Sequence, residues 1–183
     1  MSEPPEVLPP KARTARAARA TRAIAADANA REYLAFDLAS ERYALPLGCV
    51  REIMRVPHVT EVPRGPEDVL GVISARGAVT TLIDMRRLLS LPETPLGHRS
   101  RVLLVDVGEE VVGLLVDSVL QVHRLAQDEI ELAGVMGGST STHLNGIGRP
   151  HAHVNQGEEA EAASELLLLI DPTSLLGERG PAR

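Results

Sequence analysis

Two stretches of the chain, residues 33–56 and 102–125, repeat one pattern at a constant offset of 69 residues without a gap. Leu34 answers Leu103, Asp37 answers Asp106 and Glu41 answers Glu110. Leu45, Val50 and Arg55 answer Leu114, Val119 and Arg124. The echo returns further on, where Gly71-Val72-Ile73 is matched by Gly146-Ile147. Leu82-Ile83-Asp84 with Leu88-Leu89 comes back as Leu169-Ile170-Asp171 with Leu175-Leu176. A β-rich pattern written twice constrains the chain to two similar units, and two copies are too few for a solenoid. Functional surfaces of such a fold are expected on the outsides of the units and in the groove between them. No catalytic pocket is implied.

Locally, Tyr33–Leu38 and Tyr43–Leu47 read as a hairpin across the polar turn Ala39-Ser40-Glu41-Arg42. Val102–Val107 and Val111–Val116 repeat it, with Gly108 supplying a backbone that tolerates positive φ. Val50–Arg55 fits either a strand or a helical turn, because its periodicity is mixed. Pro57, Pro63 and Pro66 then enforce an extended, exposed stretch. Gly71–Ser74 and Val79–Ile83 form another hairpin about Arg76-Gly77. Asp84 can cap a short helix ending at Leu89. In the second copy Asp171 precedes Pro172 at the first helical position, with Gly177 past the end.

Composition sets outer bounds. The sequence has one Phe, two Tyr and no Trp, so the core must be aliphatic. That scarcity argues against single-strand nucleic-acid binding, which stacks bases on aromatic rings. Net charge is −6, unevenly spread. Residues 1–31 hold six basic and three acidic side chains, and the remainder holds 13 and 22. An acidic body repels phosphate backbones. With Cys49 as the single cysteine, an internal disulfide and a multi-thiolate zinc site are excluded, which fits a reducing cytosol. The apolar run Leu166–Ile170 is too short to cross a bilayer.

Residues 1–31 therefore read as a disordered basic arm, 32–177 as the folded domain and 178–183 as a tail. A loop rich in Glu, Ala and His is inserted at about 149–164. Its histidines His151 and His153, with His143 and Glu158 or Glu159, form the one tempting metal set. A loop that looks flexible lacks the rigid support a catalytic metal requires, so no metal or other cofactor is expected. Cys49 with His58 as its base has no third residue to orient the pair. More informative are Glu52, on the apolar-rich segment 50–56, and Arg76, in a hairpin turn. Their pairing would fix two strands and present a charged feature to a partner.

Val50-Arg51-Glu52-Ile53, Gly71-Val72-Ile73-Ser74-Ala75-Arg76-Gly77 and Leu82-Ile83-Asp84-Met85-Arg86 resemble the CheW family. Val112-Gly113-Leu114-Leu115-Val116-Asp117-Ser118-Val119 is similar to the family's V-G-L-x-V-D-x-V. Leu144–Gly148 and Leu167–Asp171 continue the likeness, which spans about residues 32–177. Ser74-Ala75 and Thr81 depart from the usual Asn-Leu and Pro. The resemblance implies an all-β fold of two intertwined five-stranded SH3-like barrels with short helices. It also implies a non-catalytic adaptor linking cytoplasmic chemoreceptor tips to the regulatory domain of a CheA-type histidine kinase. Such a protein is cytoplasmic, without membrane insertion, and is recruited to membrane-associated receptor arrays.

Carried over by position, the resemblance puts Val50, Val102, Val119 and Val122 at or near the receptor groove. Glu52, Ile53, Val59 and Val62 fall on the kinase face, and Arg76 matches the family's characteristic arginine. The arm and the inserted loop lie outside the pattern. They fit a paralogue in a pathway for surface motility or development. A metal enzyme using the histidine loop and a nucleic-acid binder using the arm stand as remoter alternatives.

Overall fold

The computed structural model describes residues 30–132, 144–150 and 166–177. Alternation in the repeated segments is realised there as strands, and the leading strands of each copy are buried on both faces. In chain order run β1 (Arg31–Leu38), β2 (Glu41–Pro46), β3 (Val50–Arg55), β4 (Val69–Ala75) and β5 (Ala78–Asp84), then helix α1 (Met85–Leu88). The second copy supplies β6 (Arg101–Val107), β7 (Glu110–Val116), β8 (Ser118–Leu125), β9 (Ile130–Leu132), β10 (Leu144–Gly148), β11 (Leu167–Ile170) and α2 (Pro172–Gly177). The strand therefore starts at Arg31, the last residue of the expected arm. The rest of that arm, the loop at 151–165 and the tail lie outside the described residues.

The strands form two sheets, ordered β3-β6-β7-β5-β4 in the first barrel and β8-β1-β2-β11-β10-β9 in the second. Each copy lends its leading hairpin to the other copy's barrel: β1–β2 sits among second-copy strands, and β6–β7 among first-copy strands. The borrowed hairpins are locked by matched parallel pairings. Leu82 lies opposite Gly113 in one sheet and Leu169 opposite Ala44 in the other. The sixth strand of the second barrel follows from a break, since the 3-10 turn Gln127–Glu129 separates β9 from β8. In the first barrel the corresponding closure is a single bridge from Thr60 to Val72.

Three cores follow from the exchange. On β6, Val102 and Leu104 fill the first barrel with Ile73, Ala75, Leu82 and Leu115. On β1, Tyr33 and Ala35 fill the second barrel with Ala44, Leu125, Leu167 and Leu169. The opposite faces of the same strands meet between the barrels. Leu34, Phe36 and Leu38 pack there with Leu103, Val105 and Leu114. Burial on both faces explains the near-continuous apolar runs, which a one-sided sheet would have interrupted. Phe36 stacks on Tyr43 in this central core with ring centroids 6.1 Å apart. The Tyr43 hydroxyl donates to Glu41, and burial, reinforced by that bond, pushes its pKa up.

Backbone exceptions mark the turns. Arg76 (φ 51°) and Gly77 (φ 84°) form the two-residue loop of the β4–β5 hairpin, the sign pattern of a type I′ turn. The first hairpin turns in only two residues, Ala39 (φ 57°) and Ser40, so Glu41 and Arg42 belong to β2. Gly71, at φ 148°, lies where a Cβ would come within 2.2 Å of the Thr60 carbonyl oxygen. Gly146 meets Glu131 in the same way at 2.6 Å. Asp84 caps α1 by accepting from the Arg86 amide at 2.8 Å. Asp171 accepts from the Thr173 amide and the Ser174 hydroxyl at the start of α2, which runs to include Gly177.

Candidate functional site

Strand β3 settles the ambiguity of segment 50–55, and it does so against simple hydrophobicity. Its burial alternates with period two: Val50, Glu52 and Met54 are half-buried, while Arg51, Ile53 and Arg55 are exposed. A register shift between Val50 and Glu52 bends the strand at that point. Glu52 thus faces inward and Ile53 outward, 45% exposed. An apolar side chain held outward on a strand between two arginines is a surface feature, not a packing requirement.

Glu52 accepts from Arg76 Nε at 2.5 Å, so the pair read from the sequence forms. It spans the two edge strands of the first sheet, from β3 to the β4–β5 turn. The Arg76 side chain is 78% exposed and Glu52 is half-buried, so the guanidinium stands in solvent. Its pKa is raised, first by the hydrogen bond it donates to Glu52 and then by that carboxylate's charge. An ion pair so exposed adds little to stability. It orients Arg76 outward, beside Val79 on the same hairpin, which is 79% exposed.

The remaining kinase-face candidates divide. Val62 is 46% exposed in the loop after β3, whereas Val59 is half-buried against the first-barrel core. Among the groove candidates, Val50 and Val119 are half-buried and pack on the central core. Val122 points outward, 47% exposed. Val102 has no exposed surface and fills the first barrel beneath Gly113.

Chemistry that would suit an enzyme is not assembled. The Cys49 thiol donates to the Pro46 carbonyl, and burial pushes its pKa up to about 11, away from a reactive thiolate. Among the described residues no three His, Cys, Asp or Glu side chains group to hold a metal ion. His143, His151, His153, Glu158 and Glu159 lie outside those residues. Among the described residues, too, no helix is long and apolar enough to cross a membrane.

One polar cluster was not singled out from the sequence. Arg86 Nε donates to Asp117 Oδ1 at 2.7 Å, its Nη2 donates to Oδ2, and Nη1 donates to the Pro92 carbonyl at 2.6 Å. Asp117 Oδ2 also accepts from the Ala39 amide at 2.8 Å. The signal available was Asp117 itself, an acid interrupting the apolar run from Val111 to Val119.

The family model for the CheW-like domain matches residues 32–179. The chain belongs to the CheW-like family. Its members are non-catalytic adaptors of chemotaxis-type signalling. Protein FrzA of Myxococcus xanthus is 32% identical over 127 residues, covering 69% of this chain and 79% of that protein. Chemotaxis protein CheW of Klebsiella aerogenes is 29% identical over 154 residues, covering 84% and 86%. The scaffolding protein TtCheW from Thermoanaerobacter tengcongensis shares the fold, with a TM-score of 0.69 at 22% identity, over 80% of this chain and 92% of that one. The two intertwined barrels are thus the SH3-like pair of CheW-like domains.

Proposed function

We propose that this CheW-like chain couples chemoreceptors to a CheA-type histidine kinase, with different surfaces for the two partners. The observation that carries the reading is the inversion on β3. Ile53 is held outward on a rigid strand while its neighbour Glu52 turns in to anchor Arg76. Ile53, Val62 and Val79, all exposed on the first-copy strands and loop, together with Arg76 offer the mixture of apolar and Arg side chains typical of interface centres. This face takes the kinase's regulatory domain. The receptor tip takes the junction of the barrels, where Val50 and Val119 border the central core and Val122 stands exposed.

The mechanism is positional. The adaptor holds kinase and receptor together, and differential contacts in two receptor states bias the kinase. Binding of the full chain to a CheA-type regulatory domain and, separately, to a receptor-tip fragment tests this. Ile53→Asp should abolish the first interaction and spare the second. A folded chain that binds neither partner sinks the reading. The likeness to FrzA, which does not carry the chemotaxis name, favours a second version in which the array serves another response. The receptors that co-purify with the chain decide between them.

A further inference from the structure

The chain passes between the barrels at two places, and only one of them is clamped. From β2 to β3 it crosses from the second sheet to the first through the 3-10 turn Leu47–Cys49. From β7 to β8 it crosses back at a single residue, Asp117. Gly48 occupies the position 69 residues before Asp117, and no atom lies within 4 Å of where its Cβ would stand. Thr173, second residue of α2, stands where α1 has Arg86. The first crossing therefore has neither member of the pair.

At the second crossing every group of the pair is occupied. Arg86, its side chain 11% exposed, grips both oxygens of Asp117 through its guanidinium and reaches Pro92 in the segment joining the two copies. Asp117 also accepts from Ala39 in the turn of the hairpin lent to the second barrel. Its amide donates to the Asp37 carbonyl at 3.1 Å, and the Ser118 hydroxyl donates to the Asp37 carboxylate at 2.7 Å. The two side chains thus link first-copy helix, inter-copy segment and crossover through Arg86, and the second-barrel hairpin through Asp117. A bidentate Arg–carboxylate pair fixes direction as well as distance. The Arg86 side chain is far less exposed than that of Arg76, so its pair with Asp117 is harder to exchange for water than the Glu52–Arg76 pair.

We infer that Arg86 and Asp117 are positioning residues that set the angle between the two barrels, and with it the shape of the groove between them. The groove's role in receptor binding rests on the function proposed above; the clamp itself does not.

The test is the distance between spin labels at Thr81→Cys on β5 and Asn145→Cys on β10, one exposed site in each barrel. It is made in a Cys49→Ser background, Ser being the residue at the matching position 118. Arg86→Lys keeps the charge but loses the planar fork. Asp117→Asn keeps an acceptor for Ala39 but loses the ion pair. Both should broaden and shift the distance distribution. Arg51→Lys, which alters the exposed Arg51–Asp106 pair within the first barrel, should leave it unchanged. A wild-type distribution in either folded variant overturns the inference, as does equal broadening by Arg51→Lys. If Arg86→Lys does not fold, Asp117→Asn decides. Loss of folding in both would also overturn it, because the pair would then be a folding determinant. With partners added, both variants should weaken receptor-tip binding about ten-fold and leave kinase binding as it is. The label distances need no partner, so failure of the clamp and failure of the adaptor reading are separate results.

Discussion

Ile53 on β3 and Val122 on β8 are counterparts 69 residues apart, and their exposures of 45% and 47% nearly coincide. Their neighbours do not match. Glu52 anchors Arg76 across the first barrel, whereas Gln121 at the corresponding place lies near His123, 3.4 Å from its ring nitrogen. The hairpin that follows differs more. In the first barrel β4 and β5 join through two residues in a tight turn, while in the second the chain from Gly148 to Leu167 spans the inserted loop. The matched positions include those that build the cores, such as Leu34 and Leu103 or Leu45 and Leu114. Duplication maintained a frame here, and the two proposed partner surfaces lie where the copies differ.

The strongest way to break this equivalence is to cut the shared core on both sides of the pseudo-symmetry. Leu34→Ala and Leu103→Ala should each destabilise by about 3 kcal/mol, since both side chains are fully enclosed in the central core. Urea unfolding of the two variants measures this. A markedly smaller loss for one would mean that the copies do not carry equal weight. Next come the glycines of the barrel closures. Gly71→Ala combines positive φ with a collision against Thr60 and should cost about 2 kcal/mol. Gly146→Ala, with a milder approach and no positive φ, should cost less in the same assay.

Surface substitutions sharpen the contrast by function. Ile53→Asp and Val122→Asp should each weaken one partner by at least about ten-fold, some 1.4 kcal/mol, while leaving the melting temperature close to wild type. The expected losses are opposite, kinase for Ile53 and receptor for Val122. Titration calorimetry with each isolated partner fragment would expose identical losses, which would collapse the two surfaces into one.

The smallest expected effect concerns Cys49. Its folded pKa is raised from the ordinary thiol value to about 11, chiefly by burial. The folded state therefore holds this proton more tightly than the unfolded chain does. The stability this contributes is complete below the unfolded thiol pKa and is lost as pH rises from there through about 11. Cys49→Ser should flatten that alkaline decline, and alkylation of the folded wild type near neutral pH should be slow. Ser118, its counterpart, cannot titrate and has no equivalent decline.

Much of this was legible in the chain. The hairpins at 33–47 and 102–116, the turn at Arg76-Gly77 and the Asp84 cap follow from short-range patterns, and the Glu52–Arg76 pair from two opposite charges set among apolar strands. A valine at a matched motif position looks the same in the sequence whether it is enclosed, as Val102 is, or exposed, as Val122 is. Ile53 was named, but its outward orientation was invisible. The register shift next to Glu52 decides which face each β3 residue takes, and hydrophobicity alone would have turned the isoleucine in. Arg86 and Asp117 were quoted only as parts of motifs, because nothing local connects side chains 31 residues apart.

By itself the sequence determined that there are two β units, where their strands alternate, and that both faces of β1 and β6 want to be dry. Alternation gives each side chain a face, but it does not say what lies against that face. Only the tertiary structure decided that each leading hairpin crosses into the other copy's barrel. One face then fills a barrel, and the other joins a central core that neither copy could close alone.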